Sequence, residues 1–482
     1  MTATIYWYDY EAGGVNPRAD RPMQFAGIRT DYDLNTIGEP LSEYCQLAPD
    51  YLPHPEACLI TGITPQKTLR DGIPEFQFAN KIHQQFSQAE TTICGYNSIR
   101  YDDEMTRFLF YRNFIDPYAY SWQDGNSRWD LLTLVRAAYA LRPEGIEWPL
   151  NDDGRVTLKL DRLAPANGIE HSNAHDAIAD VYASIELAKR IKNTQPKLYQ
   201  YSFSIRRKQA LMDLVRRAIN EQQPLVHVSG HYGSDQRFLS LILPLGFHPD
   251  QANQVIAWRL DYDPTQWADA TPEYIQAQLY AATAELDGER PGLVTVTLNQ
   301  CPFLAPVKTL LPEQAQAAGL DLQNLEGHRQ LLINSPTFRE HLMSVLTVGR
   351  ADDEFNEGEH NSDDADLALY SGGFLSQQSR SHCDMIRQAT PEQLAALKLP
   401  WDDTRMPVLL FRYRARNFPH SLSAGEMQRW QQHCKDRILH GSAKFLSVDD
   451  YVLKLEELAE TQQDNADKMR IIKALADYIM TL

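Results

Sequence analysis

The sequence predicts a three-part chain: a mixed α/β region, a β-rich region forming a small barrel with helical additions, and a helical C-terminal region. Its 482 residues exceed one hydrophobic core, because domains usually run ~100–200 residues. Apolar periodicity also changes along the chain, from alternating strand-like and helix-like stretches, to mainly strand-like runs, to helical repeats alone. Finally, an acidic run at 351–366 holds eight carboxylates and no Lys or Arg. Such a run repels itself and buries no apolar area, so it reads as a solvated linker. The expected divisions are 1–195, 196–349 and 350–482.

In the first region, strand-like segments are expected at 4–10, 23–29 and 91–96. Helical patterns fall at 76–87, 104–114 and 175–192. The last places Ile178, Val181, Ile185 and Ala188 on one face, and Lys189, Arg190 and Lys192 suit its negative C-terminal end. In the second region, strands are expected at 225–229, 238–245, 254–261 and 293–298, flanked by helices at 199–220 and 327–346. The third ends in helical patterns at 451–458 and 468–480.

Composition excludes some functions. With 43% hydrophobic and 23% charged residues the chain is of the folded class. A net charge of −18 rules out a generally cationic membrane-surface protein, and any polyanionic partner must be met by local basic tracks or bound cations. The six cysteines are scattered without a CxxC pair, as expected of reduced, mostly buried thiols in a cytoplasmic protein. No apolar run approaches the ~20 residues of a membrane span, and Asp9 and Glu11 interrupt the N-terminal apolar stretch, against a signal peptide.

The most informative segment is IYWYDYEAGG. Alternation sets Trp7, Asp9 and Glu11 on one strand face and Tyr8 and Tyr10 on the other. Two carboxylates on one face of an apolar strand repel and resist burial. They either point into solvent from an edge strand or hold a divalent cation, since hard metals take oxygen ligands. In GYNSIRYDDEMTRFLFYRNF, Asn97, Tyr101 and Asp102 fall where a strand gives way to a helix, a place that equally suits a capping Asp. In HSNAHDAIADV, His175 and Asp180 lie five apart, roughly 500° on a helix. They meet only if His175 is in the entering turn; Asp176 and Asp180 could otherwise form a solvated i,i+4 pair.

In this order, D-x-E, N-x₃-Y-D and H-x₄-D resemble the three exonuclease motifs of the DEDD superfamily, in its histidine-containing branch. Further blocks, NPRADRPMQFAGIRTD, LITGITPQ, SRWDLL, YALRPEGI, ANGIEHSNAHDA and FRYRARNFP, resemble the bacterial exonuclease I family, so the likeness spans the chain. The resemblance implies an RNase H-like exonuclease domain, an SH3-like barrel and a helical C-terminal domain. Asp9, Glu11, Asp102 and Asp180 would hold two Mg²⁺ ions, with Mn²⁺ as a substitute, and His175 would be the general base. Two metals about 3.5–4 Å apart clamp the attacking and leaving oxygens of a phosphodiester, and a near-neutral histidine can take the water's proton. The implied reaction is processive 3′→5′ degradation of single-stranded DNA to nucleoside 5′-monophosphates, in DNA repair and recombination. The alternatives are a 3′→5′ exoribonuclease, since the motifs do not read the sugar, or a non-catalytic single-strand-binding scaffold, which loss of a metal acid would have favoured.

Residues 96–129 hold ten aromatics in 34 positions with interleaved arginines, which suits base stacking at ~1–3 kcal/mol per base. Phe108, Phe110 and Tyr111 read better as core. By resemblance Arg107, Tyr118, Trp122 and Arg136 contact DNA, as does Lys159, where the family often has Arg; Lys keeps the charge but not the bidentate geometry. Arg142 and Tyr201 match positions that grip the acidic C-terminal tail of single-stranded DNA-binding protein. Pro306, Leu311 and Ile333 stand at other basic positions of that grip, so either it has moved to residues such as Lys308 and Arg329 or it is weaker. The basic stretch 197–217 is either a solvated helix face or part of a strand channel, and Arg412, Arg414 and Arg416 either line that channel or brace the domain. The resemblance also implies a monomer.

Overall fold

Alternation along the first strand decides the layering. In the computed structural model, which describes residues 3–170, 176–286, 288–347, 364–371, 373–442 and 444–481, β1 (Thr4–Ala12) pairs antiparallel with β2 (Pro22–Thr30) and parallel with β4 (Thr91–Gly95). With β3 (Thr36–Tyr44) and β5 (Ser127–Asp130) they form a sheet of order β3-β2-β1-β4-β5. Tyr6, Tyr8 and Tyr10 are buried with Phe25, Phe78, Phe86 and Phe110 in one aromatic core, the last three on the helices Glu75–Phe86 and Asp102–Arg112. Ring centroids stand 5.0 Å apart for Tyr8–Phe86 and for Tyr10–Phe25, within the range of favourable edge-to-face contacts.

The second sheet runs β10-β6-β7-β8-β9, all antiparallel, from β6 (Leu225–Val228), β7 (Leu239–Phe247), β8 (Gln254–Arg259), β9 (Leu293–Thr297) and β10 (Phe303–Pro306). By contacts the chain forms two compact units: Met1–Ser127, His171–Ile185 and Phe355–Leu482 make the first, Arg128–Glu170 and Glu186–Glu354 the second. The first unit draws on both ends of the chain because its cores are shared. Phe108, Tyr111 and Phe114 pack with Ile386, Met406, Leu409 and Tyr413, while Met23, Tyr51, Cys58 and Ile63 pack with Tyr451, Leu455, Ile472 and Leu475. The C-terminal helices Gln377–Gln388, Arg405–Asn417, Ala424–His440, Val448–Thr461 and Ala466–Ile479 thus bury apolar stripes on the α/β layer. No described helix is long and apolar enough to cross a membrane.

Three expectations need correction. The helical stretch 199–220 is two helices, Pro196–Ser204 and Lys208–Glu221, and 327–346 is likewise split, with Pro336 opening the second helix where proline fits the first turn. β3, β5 and β10 were missed: β3 is largely exposed, and the other two are only four residues long, so none shows a clear alternation. The acidic run is not solvated throughout. Residues 351–363 lie outside the described residues, but Asp366 is fully buried and Asp364 half-buried. Arginines compensate them: Arg21, Arg412, Arg416 and Arg437 all reach Asp366, and Arg412 and Arg437 also reach Asp364. Buried carboxylates persist when paired in this way.

Candidate active site

The site is built on an interior strand. Asp9 pairs across from Ala26 and Glu11 from Gln24 on β2, while β4 covers the other side of β1 from Thr4 to Trp7. That excludes the edge-strand reading of the D-x-E motif. Glu11 is only 8% exposed, and a register shift between Glu11 and Ala12 ends the regular ladder immediately beyond it. Asp180 comes from the first turn of the helix Ala177–Thr194. One carboxylate oxygen from each of Asp9, Glu11 and Asp180 lies within 4.8 Å of the others. Asp180 therefore faces the strand rather than a solvated i,i+4 partner; Asp176 instead accepts a long hydrogen bond, 3.5 Å, from Gln24.

Asp102 opens the helix Asp102–Arg112 and is 6% exposed. It does not join the mutual 4.8 Å set, yet after burial its charge is the largest influence on Asp9. Burial, then Asp102, Glu11 and Asp180, push Asp9 well above the usual carboxylate range. Burial, then Asp180, Asp102 and Asp176, push Glu11 up to about 8. Two acids raised by burial and by the charges of Asp102 and Asp180 fit a divalent cation: hard oxygen donors converge, and their mutual repulsion is relieved by positive charge. His175 lies outside the described residues.

The strand-to-helix turn is shaped for this placement. Asn97 adopts φ 62°, a left-handed conformation that Asn tolerates better than most residues. Tyr101 donates its hydroxyl hydrogen to the carbonyl of Gly14, tying the turn to the loop after β1. Gly14 must lack a side chain, since a Cβ there would stand 2.2 Å from the Asp20 carboxylate. Asp20 in turn accepts from the Tyr51 hydroxyl at 2.8 Å and from the Asn16 backbone N–H at 2.8 Å. The three acids of YDDEM then divide their work. Asp102 faces the centre, Asp103 accepts from Tyr8 at 3.2 Å and Tyr120 at 3.4 Å, and Glu104 holds Arg107 at 2.6 Å.

Arg107 also donates to the Tyr370 hydroxyl at 3.2 Å and lies over the Tyr118 ring at 5.7 Å, while Trp122 is 67% exposed. Arg107, Tyr118 and Trp122 therefore belong to the first unit with the carboxylates. Phe108, Phe110 and Tyr111 are core, as read. Arg136 and Lys159 belong to the second unit. Arg136 sits on the helix Leu131–Leu141, its Nη2 beside Gly230, where an added Cβ would approach to 3.2 Å. Lys159 is exposed at the start of the helix Leu160–Ala166. Arg142 donates to the Thr309 carbonyl at 3.0 Å and Tyr201 to the Leu304 carbonyl at 2.8 Å. Arg329 is held by Glu326, whereas Lys308 is exposed. Arg412 and Arg416 brace the buried acids, and Arg414 pairs with Glu426 at 2.7 Å, which decides the FRYRARNFP alternatives for bracing. Sequence reasoning missed Arg18, Glu104 and Tyr370, which form one cluster; only the charge spacing in YDDEMTR hinted at it.

Family models described as Exonuclease, Exonuclease I SH3-like domain and Exonuclease I C-terminal domain match residues 6–188, 206–348 and 363–482. The chain is 44% identical over 477 residues to exodeoxyribonuclease I of Escherichia coli strain K12, covering 99% of this chain and 97% of that one. The crystal structure of E. coli exonuclease I with a dA16 oligonucleotide matches with a TM-score of 0.93 and 43% identity, covering 100% of both chains. A zinc-bound form of the E. coli complex with single-stranded DNA matches at 0.91 and 42%, again covering 100% of both.

Proposed function

This chain belongs to the exonuclease I family, and from that premise we propose that it hydrolyses single-stranded DNA from the 3′ end, processively releasing nucleoside 5′-monophosphates. The observation that carries the reading is the convergence of Asp9, Glu11 and Asp180 within 4.8 Å on an interior strand and a helix, with Asp102 beside them.

Asp9, Glu11, Asp102 and Asp180 would hold the divalent cations, two Mg²⁺ ions in this proposal. Such cations supply a polarised phosphodiester and an attacking water of lowered pKa. The remaining work falls to the chain. His175 accepts the water's proton, a role open to a side chain that titrates near neutrality. Tyr101 fixes the loop after β1 so that the acids keep their spacing. Arg107 meets the strand's phosphate, and Tyr118 and Trp122 offer stacking faces that every base can use. Arg136 and Lys159 are proposed as further strand contacts, the lysine as a point charge.

We propose in addition that the second unit receives the acidic C-terminal tail of single-stranded DNA-binding protein near Arg142 and Tyr201. The enzyme is taken to act as a monomer in the cytoplasm, where its free thiols remain reduced. Incubating a 5′-labelled single strand with Mg²⁺ tests the main reading. A ladder shortening from the 3′ end is expected, and an intact strand overturns it. Equal digestion of a matched RNA would instead select the exoribonuclease alternative.

A further inference from the structure

We propose that Arg18, on the loop after β1 and sharing Glu104 with Arg107, is an additional phosphate contact for the strand; this rests on the nuclease reading above. Arg18 follows Glu11 by seven positions, on the loop between β1 and β2. Tyr101 holds that loop at Gly14, Asp20 holds it at Asn16, and the Asn16 side chain accepts from the Arg18 N–H at 3.1 Å.

From this fixed base the side chain reaches over the Tyr370 ring, with its guanidinium carbon 5.2 Å from the ring centroid. Its Nε stands 3.5 Å from a Glu104 oxygen, the carboxylate that Arg107 holds at 2.6 Å. Two guanidinium groups thus share one carboxylate. Among the described residues no partner meets the Arg18 Nη atoms, and the side chain is 38% exposed.

A purely structural role explains this poorly. Tyr370 is already fixed by donating to both Glu104 oxygens at 2.7 and 2.9 Å and by accepting from Arg107. An ion pair as open as Arg18–Glu104 adds little to stability. What the arrangement supplies is a pre-positioned planar fork, matched to phosphate oxygens and stacked on an aromatic ring, so little side-chain freedom is lost on binding. The surface continues from Arg107 to Tyr118, and from Tyr118 to Phe374, 5.9 Å between ring centroids and 86% exposed. Cations alternating with the half-buried Tyr370 and Tyr118 rings and the exposed Phe374 ring suit a single strand.

The test measures binding of an oligothymidylate to the whole protein in EDTA, where no cleavage occurs, from about 50 to 200 mM salt. For Arg18→Ala and Arg18→Gln, the slope of log K against log salt should become shallower by about 0.7, one single-strand phosphate contact. Affinity at low salt should fall about tenfold, the scale of one charge-assisted hydrogen bond. Arg18→Lys should restore the slope. Equal slopes for all three variants and the wild type, with only thermal stability altered, would overturn the proposal and leave Arg18 a brace. A parallel digestion by the wild type with Mg²⁺ separates the two readings. If the wild type digests the strand and the slopes are equal, the Arg18 proposal alone fails; if the wild type leaves the strand intact, the nuclease reading fails.

Discussion

Asp50 and Arg416, 366 residues apart in the chain, form an ion pair of 2.7 Å in which neither side chain is more than 3% exposed. Arg437 reaches the same Asp50 oxygen at 2.9 Å, and Arg416 also holds Asp366. This network joins the segment before the helix Pro55–Thr61 to the C-terminal helices, and it makes the FRYRARNFP arginines structural.

Removing one partner should therefore cost stability rather than grip on DNA. Asp50→Ala or Arg416→Ala breaks a buried pair and leaves its partner with one compensating charge fewer, with an expected loss of up to about 3–5 kcal/mol. Urea unfolding monitored by tryptophan fluorescence measures it. An unchanged midpoint for both variants would mean the network is not formed.

The same network sets a response to acid. Burial alone would raise Asp50 and Asp366, but their arginines hold both well below the usual carboxylate range, and Asp364 is lowered too. For a depressed folded pKa the stabilisation is complete above the unfolded value, about 4, and is lost as pH falls through the folded value. The urea midpoint should not drop on this account between pH 7 and pH 5, and should drop steeply below about pH 4. Arg416→Met combined with Asp50→Leu should flatten that drop.

The carboxylate centre predicts the opposite sign. Glu11 and Asp9 are raised, by burial first and by each other's neighbours. Between the unfolded pKa and about 8 the folded protein binds more protons at Glu11, so the metal-free centre loses stability as pH rises through that window. Adding Mg²⁺ should raise the melting temperature, and more at pH 8 than at pH 6. An equal rise at both pH values would show that cation and protons do not compete.

Asp180→Ala removes one of the three converging oxygens. Hydrolysis should fall more than about 100-fold, beyond the 10–100-fold typical of losing an outer-shell partner. Binding of single strands in EDTA should stay within about threefold, because the proposed strand contacts at Arg107, Tyr118 and Trp122 lie elsewhere. Activity surviving the change would misplace the metal site.

Much of this centre was legible beforehand, for reasons that differ by residue. Asp9 and Glu11 were readable because period two on an apolar strand forces both onto one face. Asp180 was readable only through its motif, since helical spacing alone allowed a solvated pair with Asp176. Asp102 could not be told from Asp103 or Glu104 by charge; three adjacent acids end up facing three different partners, a matter of helix phase against β1 and Tyr370. The roles of Asp364, Asp366 and Arg416 were hidden because their compensation is non-local. An acidic run looks solvated until the arginines that bury it are brought in from 46 or more residues away, as Arg412 and Arg416 are. The strands β3, β5 and β10 gave too little alternation to detect.

Analysis of the first product most directly tests whether the carboxylate centre removes nucleotides from the 3′ end. A single strand whose 3′-terminal nucleotide differs from all others is incubated with Mg²⁺, and the soluble products are identified by mass spectrometry. The 5′-monophosphate of that terminal nucleotide should appear first, and nothing should appear in EDTA or with Asp180→Ala. Release of internal fragments, of 3′-monophosphates, or of nucleotides from the 5′ end would contradict the account.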